Sequence, residues 1–357
     1  MEHARSPRIA GFDVARAFAI YGMTFVNFGV VLADPTADGP RWPAIVAKGL
    51  EGRAAATFVV LAGIGLALMA ARAHDTHDHA RVRATILRRA ALLFVVGLAY
   101  MPLWPADILH YYGVYLVVGA VTVRWRSRAL WAGAVASVGA FVALALTFDY
   151  ERGWDWATLS YSGFWTPGGF ARDLLFNGFH PAVPWTAFLL YGIWLGRRDW
   201  GDARVVRRIA ASAFTVAVFA EAAAAVAEHA IAARSPDVDG ALIHALVGTA
   251  PMPPMPMYML AGGAWATAFI AACVGLTRRW APAALVSTGQ LALTLYVAHV
   301  VVGMLVPVAV RGERAYSAAF TAAHALAFCV VATVLAYAWR RRFTRGPLEG
   351  LMRRLSG

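Results

Sequence analysis

Apolar residues run along this sequence in blocks long enough to cross a bilayer, each closed by a cluster of arginines or by a stretch rich in Trp, Pro and Gly. A spanning helix needs about 20 mostly apolar residues. Blocks near that length stand at about 9–32, 54–72, 88–104, 107–123, 129–148, 180–196, 208–230, 257–277, 285–308 and 317–339. The pattern predicts an all-α polytopic membrane bundle of about ten helices, forming a single transmembrane domain over residues 1–357. Pro102 and Pro105 separate the third block from the fourth and make a continuous helix unfavourable, so a tight helical hairpin is expected there. The sixth block is short and opens with Pro181 and Pro184. The first carries Asp13 and Arg16, which the core of a signal peptide avoids, and no small-residue cleavage pattern closes it, so it reads as a span. No repeat of 20–50 residues and no separable soluble domain is evident.

Composition agrees. The chain is 60% hydrophobic and only 15% charged, more apolar surface than a soluble domain of this length could cover. The net charge of +12 would by itself admit a nucleic-acid partner. Its distribution argues otherwise. With the N-terminus in the cytoplasm, 23 of the 32 basic residues fall in inner loops, 8 fall outside, and Arg16 lies within the first span. A bias that alternates loop by loop indicates an even number of spans and both termini inside. The positive charge then serves topology and contact with anionic membrane lipids, in a bacterial cytoplasmic (inner) membrane, and no nucleic-acid partner is expected. A homodimer is a possible assembly. The longer outer loops, 33–53, 149–179 and 231–256, hold Trp42, Trp154, Trp156 and Trp165. Most of this reads as an interfacial aromatic belt, although 150–173 also has the aromatics and acids of a site for a polar substrate.

Ionisable side chains inside hydrocarbon cost at least ~2.5–3.5 kcal/mol, so each needs a partner or a task. Asp13 and Arg16 share a helix face at i,i+3. Asn27, eleven residues on, returns to within about 20° of that face after about 16.5 Å of rise, giving the first span a polar stripe. It reads either as an orienting arginine with interhelical amide bonding or as a grip on an anionic group entering from the cytoplasm. Asp107 and His110 open the fourth span. Asp107 suits an N-cap, and an imidazole one turn from a carboxylate suits a general base. His299 lies well inside the ninth span, with Tyr296 and Gln290 as prospective partners. His180 is expected at the interface and His324 against a neighbouring helix. Glu221 and Glu228 lie at i,i+7 in the seventh span, where a proton-coupled transporter would want a carboxylate. The tract His74–His79 resembles a metal ligand set only in composition and reads as a solvated loop. Cys273 and Cys329 lie in apolar blocks as small core residues, and no metal site is expected.

The ordered set Phe12-Asp13-Val14-Ala15-Arg16-Ala17, Val26-Asn27, Gly52-Arg53, Phe58 to Gly65, Arg88-Arg89, Trp104 to Leu109, Tyr191 to Arg197, Thr288 to Tyr296 and Gly346-Pro347-Leu348-Glu349 resembles the YeiB-like family of bacterial inner-membrane proteins over essentially the whole chain. That family is similar in turn to transmembrane acyltransferases, among them heparan-α-glucosaminide N-acetyltransferase and the acyltransferase-3 proteins. The resemblance implies an acyl donor, acetyl-CoA or another acyl-CoA, entering from the cytoplasm as co-substrate with no tightly bound cofactor. It also implies an envelope glycan or small-molecule acceptor on the outer side. Arg16, Asn27, Arg53, Arg88 and Arg89 become candidates for holding the donor, since the arginine fork matches phosphate. Acyltransferase-3 proteins carry histidine eleven positions after the arginine, where this chain has Asn27. The base therefore falls to His110, His299 or Asp107. The alternative is a transporter or permease for a small anionic metabolite or lipid precursor, working through Arg16 and Glu221. No matched pair of broken helices marks the inverted repeats such proteins use.

Overall fold

Alanine, the strongest helix former, dominates the apolar blocks. The computed structural model of the chain describes residues 8–73 and 75–357, and it is about 74% helical with almost no sheet. In chain order the elements are α1 (Ala10–Leu32), α2 (Trp42–Leu50), α3 (Arg53–Ala70), α4 (Thr76–Tyr100), α5 (Leu109–Thr122) and α6 (Ser127–Thr147). A two-residue hairpin follows, β1 (Trp154–Asp155) with β2 (Ser160–Tyr161), then α7 (Pro167–Arg172) and a π-helical turn at Asp173–Asn177. The remainder comprises α8 (Ala182–Leu195), α9 (Ala203–Arg234), α10 (Gly240–Val247), α11 (Pro256–Leu276), α12 (Ala283–Gln290) and α13 (Ala292–Ala298). A second π-helical turn at His299–Met304 leads to α14 (Leu305–Arg311), α15 (Ala318–Arg342) and α16 (Pro347–Ser356).

Every block read from the sequence falls largely on helix. Among the described residues seven stretches are both long and apolar enough to cross a membrane: Ala10–Leu32, Trp42–Ala70, Ser127–Thr147, Ala203–Arg234, Pro256–Leu276, Ala292–Arg311 and Ala318–Arg342. The protein is an all-α, multi-pass membrane protein. Three of the expected blocks are built differently. Helices α5 and α8 are apolar but have only 14 residues each. Helix α4 is 25 residues long, and its first half is basic, with Arg81, Arg83, Arg88 and Arg89.

The hairpin expected around Pro102 and Pro105 is present. Helix α4 stops at Tyr100, because Pro102 has no backbone N–H with which to continue the helical ladder beyond Met101, and α5 begins at Leu109. Two local expectations are corrected. His77 and His79 lie in the first turn of α4 and not in a loop, because the Asp75 carboxylate accepts the Asp78 backbone N–H at 2.7 Å and caps the helix; His74 lies outside the described residues. The block 285–308 is not one helix: it breaks at Leu291 and again passes through the π-helical turn.

The helices gather into two compact units. The first comprises the described part of Met1–Thr57 with Asp199–Phe214 and Ala266–Gly350, and the second comprises Phe58–Arg198, Thr215–Trp265 and Leu351–Gly357. In the first unit α1 packs on α12 and α15. Gly289 lets α12 approach so closely that any Cβ there would strike the backbone of Asp13. In the second unit α4 lies along α5, α8 packs on α5 and α6, and Trp185, Tyr111 and Tyr115 are fully buried. Gly97 of α4 sits directly against the start of α5, where a Cβ would meet the His110 backbone and the Asp107 carboxylate.

Candidate active site

The second unit gathers polar side chains that the sequence scatters from Asp107 to His180. Asp107 stands just ahead of α5, and its Oδ2 accepts the backbone N–H groups of Leu109 at 2.9 Å and His110 at 3.3 Å. It also meets His110 Nδ1 at 3.2 Å. A carboxylate accepting from Nδ1–H leaves Nε2 as the basic nitrogen of the imidazole. That Nε2 is buried, makes no hydrogen bond, and faces Asp173 Oδ1 at 4.0 Å. Asp173 is anchored in turn by the Tyr111 hydroxyl, which donates to Oδ1 at 2.7 Å. Asp107, His110 and Asp173 are each less than 5% exposed. His180 closes the group: its ring meets Tyr111 edge-on at 5.9 Å, its carbonyl accepts from Tyr115, and its Nδ1 has no partner.

Asp173 has a second neighbour, a cavity. A pocket of about 390 Å³ is lined by Asp173 together with Trp154, Tyr161, Phe164 and Trp165 from the 149–179 segment, and by Met101, Pro102 and Pro105 from the α4–α5 turn. Asn177, fully buried, holds this segment together. Its amide nitrogen donates to the carbonyls of Tyr150 and Arg152, its side-chain oxygen accepts from Tyr161, and its backbone carbonyl accepts from the Trp154 indole. Trp154 stacks on Trp156 with ring centroids 4.4 Å apart. Burial pushes the Tyr161 phenol up, against the opposing pull of Arg172, whose Nε donates to its oxygen at 2.7 Å. The Asp155 carboxyl is held below its usual range by the Thr158 hydroxyl and the Ala157 N–H.

The first unit holds the other candidates. Asp13 is buried, and pairs with Arg8 at 2.7 Å and Arg16 at 2.7 Å, with Gln290 at 3.4 Å. Asn27, at the outer end of the predicted stripe, bonds His299 Nε2 at 3.0 Å, while His299 Nδ1 donates to the Tyr296 carbonyl. That pattern has Nδ1 carrying the proton and the Nε2 lone pair accepting from the Asn27 amide. Both nitrogens of His299 are therefore occupied, whereas His110 has one free. His324 bonds the Gly303 carbonyl at 2.8 Å and stacks on Phe28. Arg53 begins α3 and is half-buried, and in the second unit Arg88 is exposed and Arg89 half-buried. Glu221 accepts from the Thr249 hydroxyl at 2.6 Å and from the Trp265 indole at 3.1 Å.

Sequence reasoning paired Asp107 with His110 but missed Asp173, Tyr111 and Asn177 as functional residues. The signal for the first was an acid closing an aromatic-rich segment. For the other two no local pattern stands out.

Two buried carboxylates thus flank an imidazole beside an aromatic pocket in a multi-pass helical membrane protein. Residues 8–233 match the family described as heparan-alpha-glucosaminide N-acetyltransferase, catalytic, and residues 197–357 match the family described as Protein of unknown function (DUF418). The first match covers more than half of the chain, and the protein belongs to that heparan-α-glucosaminide N-acetyltransferase-like family, with DUF418, YeiB-like, character over its C-terminal part. At the level of the family this is a transmembrane acetyltransferase-like function. No curated protein matches the chain.

Proposed function

We propose that the protein transfers an acyl group, acetyl in the simplest case, from cytoplasmic acyl-CoA to a hydroxyl or amine of an envelope or extracellular acceptor such as a sugar. The observation that carries this reading is the unpartnered Nε2 of His110, set 4.0 Å from an Asp173 that lines an aromatic pocket. Indole and phenol faces with a carboxylate at the wall suit a polyhydroxylated acceptor. The acceptor gives up its proton to the Asp173–His110 pair, and its oxygen or nitrogen bonds to the thioester carbon. The carbon–sulfur bond then breaks, and the imidazolium returns the proton to the departing thiolate. Asp107 orients the ring and stabilises the imidazolium.

Arg88 and Arg89 are the donor-side candidates in the same unit. Gly97, where α4 touches His110, lies eight residues beyond Arg89, about 12 Å along the helix. In the first unit Arg16 and Arg53 are the anion-holding candidates, and His299, with Asn27, is a positioning residue. The protein sits in the bacterial inner membrane as one transmembrane domain of about ten spans. Both termini are cytoplasmic, and the 149–179 segment is on the outer side.

The test is release of free thiol from acetyl-CoA by purified protein supplied with amino sugars and neutral sugars. Acceptor-dependent release supports the reading. Its absence, together with substrate-dependent proton flux in proteoliposomes, would replace it with transport.

A further inference from the structure

Four arginines of the second unit meet no acid. Arg88 and Arg89 stand on α4, Arg353 and Arg354 on α16. Among the described residues no Asp or Glu pairs with any of the four, while the backbone of Gly357 lies against Arg88. The two helices are joined here, where Arg89 Nε donates to Ser356 Oγ at 3.3 Å, and Ser356 is fully buried although it is the penultimate residue of the sequence. Arg353 precedes Ser356 by three residues on α16 and so lies on the helix face that meets Arg89. Among the described residues Arg89 makes no other hydrogen bond, so its two terminal nitrogens keep their donors for a ligand. A planar fork of free N–H groups, a second guanidinium and a nearby hydroxyl are the donor set that phosphate oxygens take.

We propose that the junction of α4 with α16 is a phosphate-binding site whose ligand is a phosphate ester. The ester belongs either to a nucleotide of the coenzyme A type or to an anionic phospholipid headgroup. The site extends the donor half of the proposed function, and rests on that reading only in its nucleotide form, since a phosphate binds here whether or not an acyl group moves.

The experiment uses the full chain in detergent. Adenosine 3′,5′-bisphosphate, the nucleotide part of coenzyme A, is titrated by calorimetry, and retention of phosphatidylglycerol against phosphatidylcholine is read by native mass spectrometry. Wild type is compared with Arg89→Ala and Arg353→Glu; Arg353 is exposed, so its variant keeps the fold even where Arg89→Ala does not. The expected result is at least tenfold weaker binding of one probe in the variants. Loss of the bisphosphate identifies a nucleotide ligand, and loss of phosphatidylglycerol alone identifies lipid. If Arg353→Glu binds both probes as wild type does, the site does not exist. Bisphosphate binding that depends on Arg353, in a protein that releases no thiol from acetyl-CoA, would remove the proposed reaction and leave the site.

Discussion

Replacing Gly97 with alanine perturbs the site without removing any of its polar groups. The added methyl would stand 2.8 Å from Asp107 Oδ2 and 2.9 Å from the His110 α-carbon, and closer still to the His110 backbone nitrogen. Backbone cannot swing away as a side-chain tip can, so α5 must be pushed off α4 at its first turn. Overpacking of this kind costs about 1–3 kcal/mol, and removing a mid-helix glycine returns roughly 0.5–1 kcal/mol. The expected balance is a loss of about 1–2 kcal/mol. The displacement falls on Asp107 and His110 themselves, and a shift near 1 Å at a reacting group costs about a hundredfold in rate. Gly139 on α6 is the control, since a Cβ there meets nothing within 4 Å. Gly139→Ala should be neutral or slightly stabilising and fully active. The assay is thermal unfolding of detergent-purified protein followed by tryptophan fluorescence, with acetyl-CoA thiol release on the same samples. If Gly97→Ala behaved like Gly139→Ala in both readings, the close packing of α4 on the Asp107–His110 pair would be wrong.

Three further outcomes follow from the same geometry. Asp107→Asn keeps an oxygen to cap α5 but loses the charge beside His110, so turnover should fall about 10²–10⁴-fold with little change in the unfolding midpoint; a stability loss without a rate loss would make Asp107 only a cap. Asn27→Ala and His299→Ala should be non-additive in unfolding free energy by about 0.5–1.5 kcal/mol, the usual worth of one hydrogen bond; strict additivity in the double-mutant cycle would deny the bond. Glu349 accepts the Leu293 and Thr294 N–H groups at 2.8 and 3.0 Å and the Thr294 hydroxyl at 2.6 Å, capping α13 just past the break at Leu291. Glu349→Ala should therefore destabilise by about 1.5–3 kcal/mol per charged bond lost, in part recovered by Glu349→Gln, and an unfolding midpoint equal to wild type would contradict the cap.

What could be read from the sequence was what depends on near neighbours. Spans follow from runs of apolar residues, the α4–α5 hairpin from Pro102 and Pro105, and the Asp107–His110 pair from a separation of three at a helix start. The interruptions of the ninth block were hidden, because neither Leu291 nor His299–Met304 contains a proline, and the Glu349 side chain that caps the first break comes from 55 positions away. Asp173 was hidden as a site residue for the same reason: Tyr111 reaches it across 62 positions, and Asn27 reaches His299 across 272. A composition rich in aromatics fits both an interfacial belt and a pocket wall. The sequence left both readings open for 150–173, and the pocket wall is formed where Asn177 draws Tyr150, Arg152, Trp154 and Tyr161 together.

The central claim is that His110, and not His299, is the base of an acyl transfer. It is tested most directly by acceptor-dependent thiol release from acetyl-CoA in His110→Ala and His299→Ala, each checked for wild-type-like folding by near-ultraviolet circular dichroism. The account predicts a loss of about 10²–10⁴-fold for His110→Ala and a smaller one for His299→Ala, whose two ring nitrogens are already engaged. Full activity in a folded His110→Ala protein, or a greater loss in His299→Ala, would contradict it.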